Sequence, residues 1–120
     1  MNDYSGYGEI KIGDKTLPFK FGTNAYRLFC QYRNIDLNQM AEAFNDPFAV
    51  VELAYFAYVT AMRIKDKLTD IGFDEFVEIV GDTKDVIPEL EKLIVTAKTW
   101  GYTRDELTEA AEKKKSDTVA

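Results

Sequence analysis

The sequence predicts a mainly α protein: a helical bundle around a central apolar helix at about residues 47–67, with a small β-hairpin at about residues 9–21. Three observations support this fold class. Four segments carry apolar residues at helical spacing, one segment alternates apolar and polar residues, and one long segment is almost entirely apolar. Because composition does not shift before about Ser116, residues 1–120 are predicted to form one domain, with flexible ends at 1–8 and 116–120.

The hairpin is predicted from a period of two in residues 9–21, which places its apolar residues on one face. These residues are Ile10, Ile12, Leu17, Phe19 and Phe21. Gly13 and Asp14 supply the turn, since glycine tolerates positive φ. Pro18 has no N–H, so its strand must be an edge strand there.

The helices are predicted from four stripes of apolar residues spaced i, i+3, i+4 and i+7. The stripes are Ala25, Leu28, Phe29 and Tyr32; Leu37, Met40, Ala41 and Phe44; Phe73, Phe76, Val77 and Val80; and Leu90, Leu93, Ile94 and Ala97. Thr23 or Asn24 is expected to cap the first helix, Asp36 the second, and Asp46 the third, with Pro47 at its first position.

The third helix, at about residues 47–67, is predicted to lie at the centre. Before Arg63 its only charged residue is Glu52, and a helix that is apolar nearly all round must be surrounded by other elements. Leu53 is therefore predicted to be core.

Two boundaries are predicted near the end of the chain. The fifth helix is expected to start close to Pro88, after a turn at residues 82–87, because proline interrupts a helix interior. Thr103 and Glu106 form a capping-box pattern for a last helix at residues 103–115.

Charge and cysteine content restrict the partners and the compartment. The net charge of −6 argues against a nucleic-acid partner, since phosphate binding needs clustered Lys and Arg. Cys30 is the only cysteine, so no internal disulfide can form, which favours a reducing, cytoplasmic compartment. The polar residues 1–8 predict no signal peptide, and the apolar stretch 48–62 is too short for a membrane span.

The residue types that carry most catalysis are absent or isolated. The chain has no histidine, which removes the commonest general base, and Cys30 is expected to be a half-buried structural thiol. An acidic cluster matches no calcium loop and is interpreted as a solvated helix face; its residues are Asp66, Asp70, Asp74, Glu75 and Glu78. We expect no enzyme activity, no catalytic residue, no metal and no cofactor.

Aromatic residues outside the stripes suggest a surface that binds protein. They are Tyr4, Tyr7, Tyr26, Trp100 and Tyr102, and exposed aromatic patches usually mark partner surfaces. Tyr26, Cys30 and Arg33 also line one side of the first helix, away from its predicted core stripe. The candidate partner-binding residues are therefore Tyr26, Cys30, Arg33, Trp100 and Tyr102.

A strand pair, a Phe-Gly-x-x-Ala motif and a helix follow one another in residues 10–30, IKIGDKTLPFKFGTNAYRLFC. In these features the first half of the chain resembles the tail assembly chaperones of long-tailed bacteriophages. The similarity continues through residues 35–40, IDLNQM, and the apolar helix after Pro47, and it covers about residues 9–67.

This resemblance implies a role in phage or prophage morphogenesis. Such a chaperone would bind the tape measure protein and help recruit tail tube subunits in the host bacterial cytoplasm, and it would be absent from the finished virion. The alternative is a small helical adaptor or regulator that binds and inhibits one protein partner; an enzyme with an acidic metal site is the least favoured class. The strand edge at Pro18 also allows a homo-oligomer.

Lys113, Lys114 and Lys115 have two interpretations. At the end of a helix they complement the helix dipole, which is the favoured interpretation for the side chains. The resemblance implies a second one: consecutive lysine codons can form the slippery run on which a −1 frameshift produces a longer chaperone, of which this chain would be the short form.

Overall fold

The computed structural model describes residues 5–103 together with residues 105 and 106. Within them the chain is mainly helical with a small antiparallel hairpin before the first helix, so the predicted fold class is confirmed. Tyr4, the lysines at 113–115, the predicted flexible end at 116–120 and most of the predicted last helix lie outside the described residues.

The hairpin consists of β1 (Tyr7–Ile12) and β2 (Lys15–Lys20), which pair antiparallel with Ile10 opposite Leu17. Strand β1 thus begins inside the segment 1–8, which the sequence assigned to a flexible end.

The chain before β1 is held by a close backbone contact at Gly6. The N–H of Phe21 donates to the carbonyl of Gly6 at 3.0 Å. Gly6 has φ 69°, and a Cβ atom there would lie 2.5 Å from the carbonyl oxygen of Phe21 and 2.7 Å from Cβ of Ala97. Glycine is therefore required by both the backbone conformation and the space.

The helices follow the predicted order. They are α1 (Thr23–Arg33), a short 3-10 helix (Leu37–Gln39), α2 (Met40–Ala43), α3 (Phe48–Ile64), α4 (Phe73–Gly81) and α5 (Val86–Thr96). Helix α3 contacts α1, α4, α5 and β2, which confirms that the apolar helix is central. Leu53 on α3 is fully buried, as predicted.

The predicted helix caps are partly confirmed. Oδ1 of Asp36 accepts from the N–H of Gln39 at 3.1 Å, and the Gln39 side chain accepts from the N–H of Asp36 at 2.9 Å. Oδ1 of Asp46 accepts from the N–H of Phe48 at 3.0 Å, at the start of α3. The caps predicted at Thr23 or Asn24 are wrong, because α1 already begins at Thr23 and no side chain caps it.

Helix α5 begins at Val86, two residues before Pro88, so the predicted turn at 82–87 is shorter than expected. Proline is tolerated at position 88 because this is the third residue of α5, and the N–H groups of a helix's first turn have no intrahelical partner. Asp85, with φ 68°, reverses the chain between α4 and α5.

The hairpin is attached to the bundle through aromatic contacts, as its marginal stability in isolation requires. Phe19 lies 6.4 Å from Tyr58 of α3 and 6.2 Å from Phe76 of α4, measured between ring centroids. Tyr58 and Phe76 stack on each other at 6.3 Å. The hairpin, α3 and α4 therefore share one aromatic core.

Candidate functional site

A second, smaller hairpin follows α5, and the sequence did not predict it. Strands β3 (Lys98–Thr99) and β4 (Tyr102–Thr103) pair antiparallel across a two-residue turn. The turn residues Trp100 and Gly101 have φ of 53° and 85°, the sign that a type I′ turn requires at both positions. We call residues 98–103 the aromatic hairpin.

Trp100 combines two unfavourable features. Its side chain is 75% exposed, and its backbone occupies the left-handed region, which bulky residues rarely adopt. Tyr102 beside it is 54% exposed. Asn or Gly would suit the turn better, so turn preference does not account for a tryptophan at its tip.

The aromatic hairpin has a fixed base. Ala97 and Thr99 are buried, and the N–H of Trp100 donates to Oγ1 of Thr23 at 3.4 Å, next to the start of α1. The two exposed rings are therefore presented by strands that are attached to the bundle, which lowers the entropic cost of binding.

The predicted capping box is present where the chain leaves this hairpin. The N–H of Glu106 donates to Oγ1 of Thr103 at 3.3 Å, and Oε1 of Glu106 accepts from the N–H of Thr103 at 3.3 Å. This reciprocal pair sets the direction in which the chain continues from β4.

The prediction that one side of α1 is a partner surface is wrong for Tyr26. Tyr26 is buried together with Ala25 and Phe29, whereas Tyr32 of the predicted core stripe is 54% exposed. Ala25 and Phe29 of the predicted stripe are buried as expected, so the buried face is shifted towards Tyr26 by roughly 60°, less than the step of about 100° between successive residues.

Arg33 lies on the same inward side, in an ion-pair cluster that joins α1 to α3. Its Nε donates to Oε1 of Glu52 at 2.6 Å and its Nη2 to Oδ2 of Asp46 at 2.9 Å. The Arg33 side chain is 20% exposed and that of Glu52 is 14% exposed. The hydrogen bond from Arg33 lowers the pKa of Asp46, and the bond from the N–H of Phe48 adds to this. The cluster links α1 to α3, with Arg33 and Glu52 largely shielded and Asp46 open to solvent at 45% exposure.

Cys30, one turn before Arg33 on α1, is half-buried against the core. Burial raises the pKa of its thiol, and the charge of Asp36 raises it further. A raised pKa keeps the sulfur in the unreactive thiol form, which agrees with the structural role predicted for it.

A cleft of about 250 Å³ lies between the hairpin β1–β2 and the end of α3. Its lining residues are Glu9, Thr16, Leu17, Pro18, Tyr58, Met62, Lys65, Lys67 and Asp70. Charges of both signs are mixed along its walls, so it favours no single class of ion. The described residues contain no group of three His, Cys, Asp or Glu side chains placed to bind a metal.

Several other apolar side chains of the described residues are exposed. They are Tyr32, Leu37, Phe48, Ile64, Leu68 and Val95. One side of the Tyr32 ring packs on the protein itself, since its centroid lies 5.5 Å from that of Phe56 and 5.7 Å from that of Phe73. Of the five candidate residues, only Trp100 and Tyr102 are exposed and adjacent.

The dipeptide Trp100-Gly101 was the available signal for the aromatic hairpin. A Gly at the second turn position, flanked by Thr99 and Tyr102, matches a short hairpin, but a Trp at the first position does not. Within the described part of the chain, no helix has the combined length and apolarity needed to cross a bilayer.

Comparison of the sequence and fold with protein-family models, curated proteins and solved structures gives no significant match.

Proposed function

We propose that this chain is a non-enzymatic tail assembly chaperone of a long-tailed phage or prophage, which binds the tape measure protein and helps recruit tail tube subunits. The observation that carries the proposal is the exposed Trp100 at the tip of the aromatic hairpin, in a backbone conformation that folding alone does not favour. The resemblance of residues 9–67 to this family supplies the partner.

The chemistry of the surface suits an aggregation-prone client. Trp and Tyr contribute large apolar area together with a hydrogen-bonding group, and they carry much of the binding energy at protein interfaces. The net charge of −6 would keep a complex with an apolar client dispersed through repulsion between complexes. In this proposal the protein acts in the host bacterial cytoplasm and is absent from the finished virion.

Co-expression with the cognate tape measure protein tests the proposal. The parent chain is expected to increase the soluble fraction of the tape measure protein and to co-purify with it. Trp100→Ala combined with Tyr102→Ala should abolish both effects while circular dichroism shows a folded chain. Leu68→Ala is the matched control, because Leu68 is 91% exposed but lies outside the aromatic hairpin.

Two results would count against the proposal in different ways. No gain in solubility with the folded parent chain contradicts the chaperone function. A gain that survives the loss of both aromatic rings leaves the function standing and places the binding surface elsewhere.

The small size of the aromatic hairpin also fits a second candidate function, an adaptor or regulator that binds and inhibits one folded partner. Two exposed rings on a two-residue turn could enter a pocket of such a partner. The gene neighbourhood separates the two candidates: a tape measure gene just downstream and a tail tube gene just upstream favour the chaperone.

A further inference from the structure

The outer edge of β1 carries unpaired backbone groups. Hydrogen-bonded and non-hydrogen-bonded pairs alternate along an antiparallel ladder. The N–H of Phe21 donates to the carbonyl of Gly6, so these two residues form a hydrogen-bonded pair. Every second residue along β1 repeats this arrangement, so Gly8 and Ile10 also direct their N–H and C=O groups towards β2. The N–H and C=O groups of Glu9 and Lys11 therefore point outward, where the described residues provide no partner for them.

The outer edge of β2 is different, because Pro18 lies opposite Glu9 and so occupies an outward position. Its missing N–H costs the ladder no bond, but it removes a donor from that edge. Each strand also packs against a helix, β1 against α5 and β2 against α3, so the two edges differ mainly at Pro18. Of the two edges of this sheet, β1 is the one that can accept another strand.

We propose that β1 pairs with β1 of a second copy of this chain, antiparallel and with the two-fold axis at Ile10. Three registers place outward groups opposite one another near the centre of the strand. An axis at Glu9 sets two carboxylates opposite each other, and an axis at Gly8 sets Glu9 against Tyr7. An axis at Ile10 sets Glu9 of each copy opposite Lys11 of the other, so the strand is complementary to itself in charge.

Both charged side chains are available for this contact. Glu9 is 55% exposed and Lys11 is exposed. The nearest cation to Glu9 is Nζ of Lys65 at 3.9 Å, an exposed pair that contributes little. Pairing would join two hairpins into one four-stranded sheet.

Charge reversal tests the register in the full chain. Sedimentation equilibrium of the parent should show a concentration-dependent dimer. Glu9→Lys or Lys11→Glu alone places like charges opposite each other at both contacts and should weaken association about tenfold or more. The double variant Glu9→Lys/Lys11→Glu restores opposite charges only if the axis is at Ile10, and it should dimerise like the parent. Lys15→Glu is the control, since it makes the same charge change on β2.

Each outcome decides the proposal. A parent that stays monomeric at every concentration overturns it and leaves the edge for a strand of another protein. Single reversals that do not weaken the dimer, or a double variant that fails to recover, also overturn it, because they exclude this register. Circular dichroism establishes that each variant is folded.

Discussion

The hydroxyl of Tyr58 donates to Oδ1 of Asp70 at 2.9 Å and ties the segment after α3 back to the central helix. Tyr55, on the same helix, makes a parallel contact by donating to the carbonyl of Ile71 at 3.1 Å. The connection between α3 and α4 is exposed at residues 65–70, yet these two hydroxyls hold its end in place.

Tyr58→Phe removes the bond to Asp70 and should lower the free energy of unfolding by about 1 kcal/mol at neutral pH. Burial, followed by the hydrogen bond to Asp70, raises the pKa of Tyr58 from 10.0 to about 12. The folded state binds the Tyr58 proton more tightly than the unfolded state does, so this group contributes its full stabilisation below pH 10.0. That stabilisation is lost as the pH rises towards about 12. Urea unfolding from pH 8 to 11.5 should therefore show a shallower alkaline decline for the variant.

Tyr32→Phe provides the control, because it makes the same substitution at an exposed side chain. Equal alkaline declines for parent and Tyr58→Phe would contradict the effect assigned to Tyr58.

Leu53→Ala should destabilise the protein by about 2–5 kcal/mol, because the removed atoms leave a cavity at the centre of the bundle. Leu53 is fully buried on α3, whereas Leu68 is 91% exposed. Leu68→Ala should change the free energy of unfolding by no more than about 0.5 kcal/mol. Similar urea midpoints for the two variants would mean that α3 does not bury the face described.

Arg33→Met should cost about 1–3 kcal/mol, because it leaves the shielded Glu52 carboxylate without its donor. Lys92→Ala breaks an exposed pair with Glu89 and should cost almost nothing. A loss in the Arg33 variant no larger than that of the Lys92 variant would show that the cluster does not hold α1 against α3.

The same cluster predicts an acid response. Arg33 holds the pKa of Asp46 in the folded protein below its ordinary value of 3.8. The ionised Asp46 therefore stabilises the fold above pH 3.8, and this stabilisation is lost as the pH falls through the lowered pKa of the folded state. Unfolding followed from pH 5 to pH 2 should show a shallower acid decline in Arg33→Met than in the parent.

The sequence predicted the elements better than their orientation. The apolar stretch of α3 required a central position, and the alternation through Ile10 and Leu17 required a hairpin with one buried face. The orientation of α1 was missed because Arg33 was scored as outward, although its charge is satisfied by Glu52 from another helix. A pairing between residues far apart in sequence has no signature in the periodicity of either helix.

The candidate surface was predicted only in part. Trp100 and Tyr102 were identified from their type and from their position outside the stripes, and both are exposed. Their arrangement depends on a type I′ turn with a tryptophan in the left-handed region, which turn preferences do not predict.

Trp100→Asn separates folding from binding at this turn. Asn tolerates the left-handed conformation, so the variant should be as stable as the parent or more stable by about 1 kcal/mol. Binding to the partner should nevertheless be lost, since the apolar ring is gone. A strongly destabilised Trp100→Asn variant would mean that the ring packs on the protein's own surface.

Emission from Trp100 tests the central claim most directly, because this is the only tryptophan in the chain and its side chain is 75% exposed. The free protein should emit at the long wavelengths of a hydrated indole and be quenched by iodide. Titration with a tryptophan-free segment of the tape measure protein should produce a saturable blue shift and protection from iodide. Binding measured by calorimetry without any change in emission would contradict the placement of the contact surface at Trp100, and no binding at all to a folded chain would contradict the chaperone function itself.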